Sequence, residues 1–420
     1  MDRFTKLKDK KTENEANLPD GWKRVRLGEI LSFRNGKSPQ IVDGGMYPIY
    51  GSNGLIGFTN DYFLNGVFLL VGRVGASGET HLVSGKVWAS DNCLIGECKS
   101  DTTPVFIYYL LKYLDLKKFI TQTAQPLITQ SFVNNLQIIL PPLPEQHKIA
   151  EILETIDNAI EKTDRIIEKY KRIKQGLMQD LLTRGIVESD ELGVMSYELR
   201  DEKKHRFKDS PLGRIPEEWE IKKDFIKIFS GYGFALKEYS EDGIFLIRID
   251  NIGHGRLIHE NFAYLPEKYK HLYERFLIKR GDILLALNRP ITREKLKIAK
   301  VDLDNAILYQ RVGKLLFRNE IEKNFYFYYM QSNFFIKQLE ISLVGSDQPY
   351  ITDTDFKDLL FKFPPLLEQH RIASILSQID EAIEKEKKYK EKLERIKRGL
   401  MEDLLTGNVR VNHLIEEVET

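Results

Sequence analysis

The sequence has little of what stabilises proteins outside the cytosol or holds them in a membrane. Its 420 residues include two cysteines, Cys93 and Cys98, which cannot make a disulfide framework and suit a reducing compartment. Residues 1–17 lack the apolar core of a signal peptide, and no apolar run approaches the roughly 18 residues of a membrane span. Neither charge dominates, with 63 Lys and Arg against 62 Asp and Glu. These absences predict a cytoplasmic protein without membrane contact and exclude a uniformly basic tail.

Catalytic signatures are missing as well. Leu31 stands where a P-loop would need its first glycine, so the downstream Gly-Lys-Ser is not a phosphate-binding loop. The two Pro-Pro pairs follow Leu140 and Phe363, not the Asn or Asp of an amino-methyltransferase motif. The cysteines have neither the number nor the spacing for a closed zinc site. The sequence therefore predicts no catalytic residues and no metal site.

The strongest positive signal is an internal repeat. Residues 141–183 and 364–406 align without a gap, and about 28 of the 43 paired positions are identical. Both copies begin with Pro-Pro-Leu-x-Glu-Gln-His-(Lys/Arg)-Ile-Ala and end with Gly-Leu-Met-x-Asp-Leu-Leu-Thr. A shorter and weaker sequence similarity precedes each domain, at residues 18–22 and 215–219. The chain is predicted to be two copies of one plan, a variable domain followed by a near-identical helix.

Each repeat is predicted to form a long helix with an apolar stripe, because apolar residues recur at steps of three and four. The stripe, roughly 50 Å long at 1.5 Å per residue, needs a partner. The other copy is covalently available, and a twofold relation predicts an antiparallel coiled coil. Pairing between two chains, as a homodimer, is the alternative. The predicted packing residues are Ile149, Leu153, Ile156, Ile160, Ile167, Ile372, Leu376, Ile379, Ile383 and Leu393.

The stretches around the repeats define the predicted domains. Residues 1–140, with a polar tail at 1–17, and residues 215–363 are rich in glycine, aromatic and β-branched residues. They are predicted to be two α+β domains of mixed strands and helices, separated by the two long helices. Residues 184–214 are charged and aperiodic, which predicts a linker, and residues 407–420 are predicted to be a C-terminal tail.

Basic and glycine-rich segments in both variable domains indicate double-stranded DNA as a partner. Between Lys279 and Lys300, lysine and arginine far outnumber acidic residues, and side chains able to bind base edges stand nearby. The predicted DNA-contacting residues are Arg34, Lys37, Asn53, Arg73 and Ser77 in the first domain and Arg248, Asn251, Asn288, Arg289, Arg293, Gln310 and Arg311 in the second. Charged loop residues are usually only solvated, so the prediction depends on the set and not on one member.

These residues resemble the specificity subunits of type I restriction–modification systems over nearly the whole chain. The repeated Pro-Pro-Leu-x-Glu-Gln-His helices carry most of the resemblance. Further matching motifs lie at residues 207–219, 50–54, 72–78, 90–93, 246–252 and 281–284.

The resemblance implies two target-recognition domains that each read one half of a split DNA sequence, with the helices setting the unread spacer. It also implies partners: modification subunits, which bind S-adenosylmethionine and methylate adenine, and restriction subunits, which use ATP and Mg to translocate and cleave DNA. No cofactor and no catalytic residue is expected in this chain.

Two other classes of protein remain open from the residues alone. One is a nuclease or methyltransferase whose motifs are not recognised, and the other is a coiled-coil scaffold that binds only protein. Activity of the isolated chain would identify the first, and salt-dependent DNA binding would argue against the second.

Overall fold

The computed structural model describes residues 18–99, 101–119, 127–191, 194–318, 320–343 and 349–415. The predicted polar tail at 1–17 and the end of the predicted C-terminal tail, 416–420, lie outside them. The chain divides into two compact units. Unit 1 comprises Met1–Arg165 and Lys387–Thr420, and unit 2 comprises Ile166–Glu386.

Two long helices dominate the helical part of the described chain, and both begin directly after a Pro-Pro pair. A proline there costs no intrahelical hydrogen bond, because the first N–H groups of a helix have no partner within it. The α-helices are α1 (Leu27–Ile30), α2 (Pro104–Leu114), α3 (Gln130–Asn134), α4 (Leu143–Leu181), α5 (Tyr269–Leu272), α6 (Lys323–Tyr329), α7 (Asn333–Ser342), α8 (Asp353–Asp358) and α9 (Leu366–Leu405).

Unit 1 is built on a six-stranded sheet with the order β2-β7-β5-β6-β3-β4. Its neighbours are antiparallel except for β3 and β6, and β1 pairs separately with β8. One apolar core joins this sheet to α2, to the start of α4 and to the end of α9. The strands are β1 (Lys23–Arg26), β2 (Leu31–Asn35), β3 (Tyr47–Gly51), β4 (Gly54–Thr59), β5 (Leu64–Gly72), β6 (Thr80–Ala89), β7 (Cys93–Cys98) and β8 (Gln137–Leu140).

Unit 2 contains two four-stranded sheets, ordered β14-β23-β18-β21 and β16-β15-β22-β17. Its largest core is aromatic, with Trp219, Tyr326, Tyr329, Phe335 and Phe361 among its buried members. The strands are β9 (Ile186–Glu191), β10 (Val194–Leu199), β11 (Phe207–Lys208), β12 (Ile215–Pro216), β13 (Glu220–Lys222), β14 (Ile226–Ser230), β15 (Ile244–Ile247), β16 (Ala263–Leu265), β17 (Leu277–Ile278), β18 (Ile283–Ala286), β19 (Ile291–Thr292), β20 (Lys295–Leu296), β21 (Ile298–Lys300), β22 (Ala306–Leu308), β23 (Val312–Phe317) and β24 (Phe361–Phe363).

A buried carboxylate at the start of α4 gives a structural reason for the short repeated segment at residues 18–22. The indole N–H of Trp22 donates to Glu145 Oε2 at 3.2 Å. Arg410, which follows α9, completes the cluster by binding both carboxylate oxygens, with 2.9 Å between its Nε and Glu145 Oε2. A buried carboxylate requires such partners, because desolvation without them costs several kcal/mol. Unit 1 is thus closed by the end of the chain.

Unit 2 repeats this cluster with residues from matching places. The indole N–H of Trp219 donates to Glu368 Oε2 at 3.0 Å, and Arg200 pairs with the same carboxylate. Arg200 follows α4 in the chain as Arg410 follows α9. The backbone N–H of Ile186 also donates to Glu368, at 2.8 Å. In each unit, the segment that follows one long helix completes a cluster at the start of the other long helix.

The two long helices run antiparallel. In unit 1, Lys397 of α9 pairs with Asp157 of α4, whereas Lys390 pairs with Asp164, so the numbers fall along one helix as they rise along the other. Of the predicted packing residues, the structure buries Ile149, Leu153, Ile167, Ile372, Leu376, Ile383 and Leu393 and half-buries Ile156, Ile160 and Ile379. The stripes are therefore covered within one chain, as the coiled-coil prediction requires and unlike the homodimer alternative.

Residues 184–214, which composition predicts as a linker, contain one β-hairpin and the first strand of a second, whose other strand is β12. Strands β9 and β10 pair antiparallel from Ile186 opposite Leu199, and β11 pairs with β12. Arg371 of α9 anchors the first hairpin, because its guanidinium binds Glu188 at 2.6 Å and lies 4.0 Å from the Tyr197 ring centroid. At least two charges of this segment, on Glu188 and Arg200, are thus partners of α9, a property that composition alone does not reveal.

Candidate nucleic-acid interface

Four loop segments of the first variable domain, two of which contain glycines in close contact with another segment, meet at one place in unit 1. Gly36 lies against Ser90 so closely that a Cβ on it would stand 2.0 Å from the Ser90 carbonyl oxygen. A Cβ on Gly72 would lie 3.1 Å from Ser52, and the Arg73 N–H donates to the Asn92 carbonyl at 2.8 Å. Only glycine permits these approaches, which join residues 36–37, 52–53, 72–78 and 90–92 into one surface. We call this set the first loop cluster.

The five residues predicted to bind DNA in this domain have different surroundings. Lys37 and Asn53 are exposed in the first loop cluster, and Arg73 is half-buried there. Arg34 lies on β2, exposed and 3.9 Å from the Glu97 carboxylate, which offsets part of its charge. Ser77 is 4% exposed, and its hydroxyl donates to the Arg73 carbonyl at 2.9 Å. The structure therefore gives Ser77 the role of holding the loop in shape, in place of the predicted base contact.

In the second recognition domain, four predicted residues lie where β18 ends and β23 begins. Asn288 and Arg289 follow β18, and Gln310 and Arg311 precede β23. The two segments are joined by the Leu287 N–H, which donates to the Arg311 carbonyl at 3.0 Å. Arg289, Gln310 and Arg311 are exposed and Asn288 is half-buried. We call these four residues the second loop cluster, and their donors and acceptors suit the edges of guanine and adenine.

Two other predicted residues of this domain serve the fold. Asn251 is 1% exposed; its Oδ1 accepts from the Arg248 N–H at 3.0 Å, and its Nδ2 donates to the carbonyls of Ile258 and Glu260. Arg248 is half-buried, and its guanidinium donates to the Asn261 carbonyl at 3.0 Å. The predicted base contact of Asn251 is thus replaced by a structural role, because its amide is already used by the backbone.

Two exposed tyrosines beside the second loop cluster are not among the residues predicted from the sequence to contact DNA. Tyr232 is 42% exposed and Tyr350 is 41% exposed. The Gln310 N–H donates to the Tyr232 carbonyl at 3.1 Å, and Asn288 forms a backbone bridge with Tyr350. An exposed ring can stack on a base or a sugar. In the sequence, the adjacent Gly231 could have indicated a tight loop at this place, because a Cβ there would lie 2.2 Å from the Leu308 carbonyl oxygen.

A short hairpin carries Arg293 at its turn. Strands β19 and β20 are joined by Arg293 and Glu294, whose φ angles are +51° and +59°. Left-handed backbone at both turn positions is typical of a type I′ hairpin, and it strains residues that are not glycine by about 1 kcal/mol each. Such strain persists only where the surroundings impose it, and it is concentrated at functional sites.

This hairpin forms one wall of a basic groove in unit 2. The groove has a volume of about 780 Å³ and lies between the last part of α4 and the second recognition domain. Burial and the charges of Lys295, Lys297 and Arg293 lower the pKa of His254, which also faces the groove. The local potential is therefore positive, as a phosphate backbone requires. Its basic lining residues include Lys171, Arg172, Arg293 and Lys295.

Other kinds of site are not evident in the described part of the chain. Its His, Cys, Asp and Glu side chains form no group of three or more that could hold a metal ion. Burial raises the pKa of the Cys93 thiol to about 11, which makes it a poor nucleophile. None of the helices in the described ranges is long and apolar enough to cross a membrane.

The fold and the loop clusters define a class of protein: a duplicated chain in which two α+β domains with polar loop surfaces alternate with two long helices. Comparison with known proteins places the chain within that class. The model of the type I restriction modification DNA specificity domain matches it twice, at residues 19–171 and 216–395. The chain belongs to this family, which confirms the predicted resemblance.

Individual relatives agree with the family match. The type I restriction enzyme MjaVIII specificity subunit of Methanocaldococcus jannaschii is 35% identical over 434 residues, which cover 98% of each protein. The type I restriction enzyme EcoAI specificity subunit of Escherichia coli is 30% identical over 176 residues, 40% of this chain and 29% of that subunit.

A solved structure shows the same fold. The S subunit of a type I restriction-modification system from M. genitalium matches 93% of this chain and 98% of its own chain, with a TM-score of 0.62 and 15% sequence identity. The predicted fold class, with two recognition domains and an antiparallel pair of long helices, is confirmed.

Proposed function

We propose that this specificity subunit reads a bipartite, asymmetric DNA target, one half with each recognition domain. The observation that supports this proposal is the contrast between the repeats and the domains. The helices agree at about 28 of 43 positions. The loop clusters differ, because the first presents Lys37, Asn53 and Arg73 and the second presents Arg289, Gln310 and Arg311. Different side chains prefer different base edges, so the two half-sites should differ.

Affinity and base choice would come from separate groups. Lysine and arginine along the basic groove would bind phosphates, a contribution that does not depend on sequence and weakens with salt. Exposed polar side chains of the loop clusters, with Tyr232 and Tyr350 beside the second, would contact bases. Loops carried on rigid sheets suit this task, because the scaffold fixes where each side chain reaches.

The long helices would set the unread spacer between the half-sites and hold the modification subunits. S-adenosylmethionine, ATP and Mg²⁺ would then bind to the modification and restriction subunits, and this chain would supply specificity without catalysis. The assembled complex would methylate adenine and cleave DNA in the cytoplasm.

Exchange of one recognition domain tests the proposal. Residues 22–140 are replaced by the corresponding domain of another specificity subunit, and the methylated sequence is mapped with the modification subunits present. One half-site should change, while the other half-site and the spacer stay the same. A change in both half-sites would refute separate reading. Methylation independent of this chain would instead favour a scaffold that binds only protein.

A further inference from the structure

In unit 1, a cluster of tyrosine, aspartate and lysine joins the recognition domain to both long helices. The Tyr109 hydroxyl donates to Asp157 Oδ2 at 2.8 Å, and Lys397 Nζ donates to Asp157 Oδ1 at 2.6 Å. The lysine also lies 5.5 Å from the centroid of the Tyr109 ring. Since Tyr109 belongs to α2, Asp157 to α4 and Lys397 to α9, one carboxylate joins three elements.

Unit 2 contains the same cluster. The Tyr328 hydroxyl donates to Asp380 Oδ2 at 2.9 Å, and Lys174 Nζ donates to Asp380 Oδ1 and Oδ2 at 2.7 and 2.8 Å. Lys174 lies 5.0 Å from the Tyr328 ring centroid. Here the tyrosine comes from α6, the aspartate from α9 and the lysine from α4. The roles of the two long helices are exchanged, as a duplicated chain with antiparallel helices requires.

Among the described contacts, another ion pair between the long helices lacks the two properties of the tyrosine clusters, a hydrogen bond from a tyrosine and a counterpart in the other repeat. In unit 1, Lys390 Nζ lies 2.8 Å from both carboxylate oxygens of Asp164. No tyrosine joins it among its described hydrogen bonds, and Ile167 occupies the place in α4 that corresponds to Lys390 in α9. This ion pair therefore occurs once, whereas the tyrosine clusters occur twice at matching positions of the repeat.

An apolar stripe alone fixes the register of two helices poorly. Because the stripe repeats every three or four residues, a slip by one turn replaces one set of apolar contacts with a similar set. A polar pair within the seam removes this ambiguity, since a slip would separate the partners and leave a half-buried charge without its counter-ion. One turn is about 5.4 Å, which corresponds to between one and two base pairs of DNA at 3.4 Å each.

The tyrosines connect this register to the recognition domains. Burial and the neighbouring carboxylates raise the pKa of Tyr109 and Tyr328, so both hydroxyls stay protonated and act as donors. The carboxylate that accepts a hydrogen bond from the lysine of the opposite helix therefore also accepts one from the tyrosine hydroxyl of the recognition domain. Helix register and domain position are therefore determined at the same carboxylate.

We propose that Asp157 and Asp380, each with its tyrosine and lysine, are positioning residues that fix helix register and domain placement and so determine the spacer length that the protein accepts. This inference rests on the proposed function. It concerns the distance between half-sites and not the bases within them.

The test uses the full chain assembled with its modification subunits and measures methylation of DNA duplexes. The duplexes carry the native half-sites with the native spacer or a spacer changed by one or two base pairs. We expect Lys397→Met to reduce the preference for the native spacer about tenfold, and Tyr109→Phe, which removes one hydroxyl, about threefold. Lys397→Arg should preserve the preference, because it keeps the charge near Asp157. The bases required in each half-site should not change.

Lys390→Met is the matched control, because the Lys390–Asp164 pair can contribute to register but has no tyrosine among its described hydrogen bonds that links it to a recognition domain. We expect it to lose less spacer preference than Lys397→Met. It breaks an ion pair between the same helices, and the exposed fractions of the two lysine side chains are similar, 26% for Lys397 and 30% for Lys390. Equal spacer preference in folded Lys397→Met and Lys390→Met would overturn the inference. If Lys397→Met does not fold, a native preference in Tyr109→Phe overturns it. Absence of any bipartite target in the wild-type complex would refute the proposed function instead.

Discussion

At the scale of single residues, Lys362 is a buried lysine whose positive charge lowers the free energy of unfolding. It lies in β24 with its side chain buried, and its Nζ is 4.7 Å from the centroid of the Phe334 ring. Burial lowers the pKa of Lys362 from 10.5 to about 8. The unfolded chain holds this proton more tightly. The free energy of unfolding therefore falls as pH decreases from about 10.5 to 8, and the reduction is complete below pH 8.

Replacement of Lys362 by methionine should therefore stabilise unit 2 in a pH-dependent way. The free energy of unfolding should rise by up to about 3 kcal/mol at pH 7, since each pKa unit corresponds to 1.36 kcal/mol. The gain should shrink as pH rises from about 8 to 10.5 and should disappear above 10.5, where Lys362 is neutral in both states. Denaturant unfolding of both proteins between pH 7 and 10.5 measures it. A gain independent of pH would show that packing, and not ionisation, is responsible.

At the scale of elements, the β19–β20 hairpin is the surface for which we most clearly expect phosphate contacts that do not depend on base sequence. It presents Arg293 and Lys295 on a strained turn at the basic groove. Both side chains are exposed. Neither side chain reaches the second loop cluster in any described hydrogen bond, so we expect phosphate contacts here and base contacts at the cluster.

The double variant Arg293→Gln with Lys295→Gln should weaken binding of the assembled complex to target and unrelated DNA alike. The slope of log affinity against log salt should become less steep by roughly one to two, because each phosphate contact contributes about one. Lys203→Gln with Lys204→Gln, an equal charge loss elsewhere in unit 2, is the control and should leave the slope unchanged. A selective loss of target binding would show that the hairpin reads bases.

How far the sequence predicted this molecule also differs between elements. The long helices could be predicted, because their periodicity and their repetition are local properties of the chain. The β9–β10 hairpin in residues 184–214 could not, since Glu188 and Tyr197 are ordered by Arg371, far away in the sequence. In the candidate site, Arg311 and Ser77 look alike as polar residues near loops, yet one is exposed and the other is used by the backbone.

At the scale of the whole molecule, the segment after α9 completes the domain that precedes α4. Arg410 binds Glu145, and Val411, Leu404 and Leu405 belong to the core of unit 1. Unit 2 has no such dependence, because its members all lie between Ile166 and Glu386.

Removal of residues 407–420 should therefore destabilise unit 1 selectively. Glu145 would remain buried without its cation, which we expect to cost about 3 kcal/mol of unfolding free energy. Hydrogen exchange followed by mass spectrometry should show faster exchange in β5 and β6 and unchanged exchange in β18 and β23. A chain ending after Val411 keeps the ion pair and the buried valine, and it serves as the control. Equal loss of protection in both units would contradict this account.

The placement of Arg410 bears on the order of events at the ribosome. Unit 2 is continuous in sequence and can fold once Glu386 has emerged, whereas unit 1 waits for residues made about 20 positions later. The part of the protein synthesised first is thus finished last. Until then its sheet awaits a contact that spans 265 positions of the chain, and synthesis that stopped between Glu386 and Arg410 would yield one complete unit and one incomplete unit.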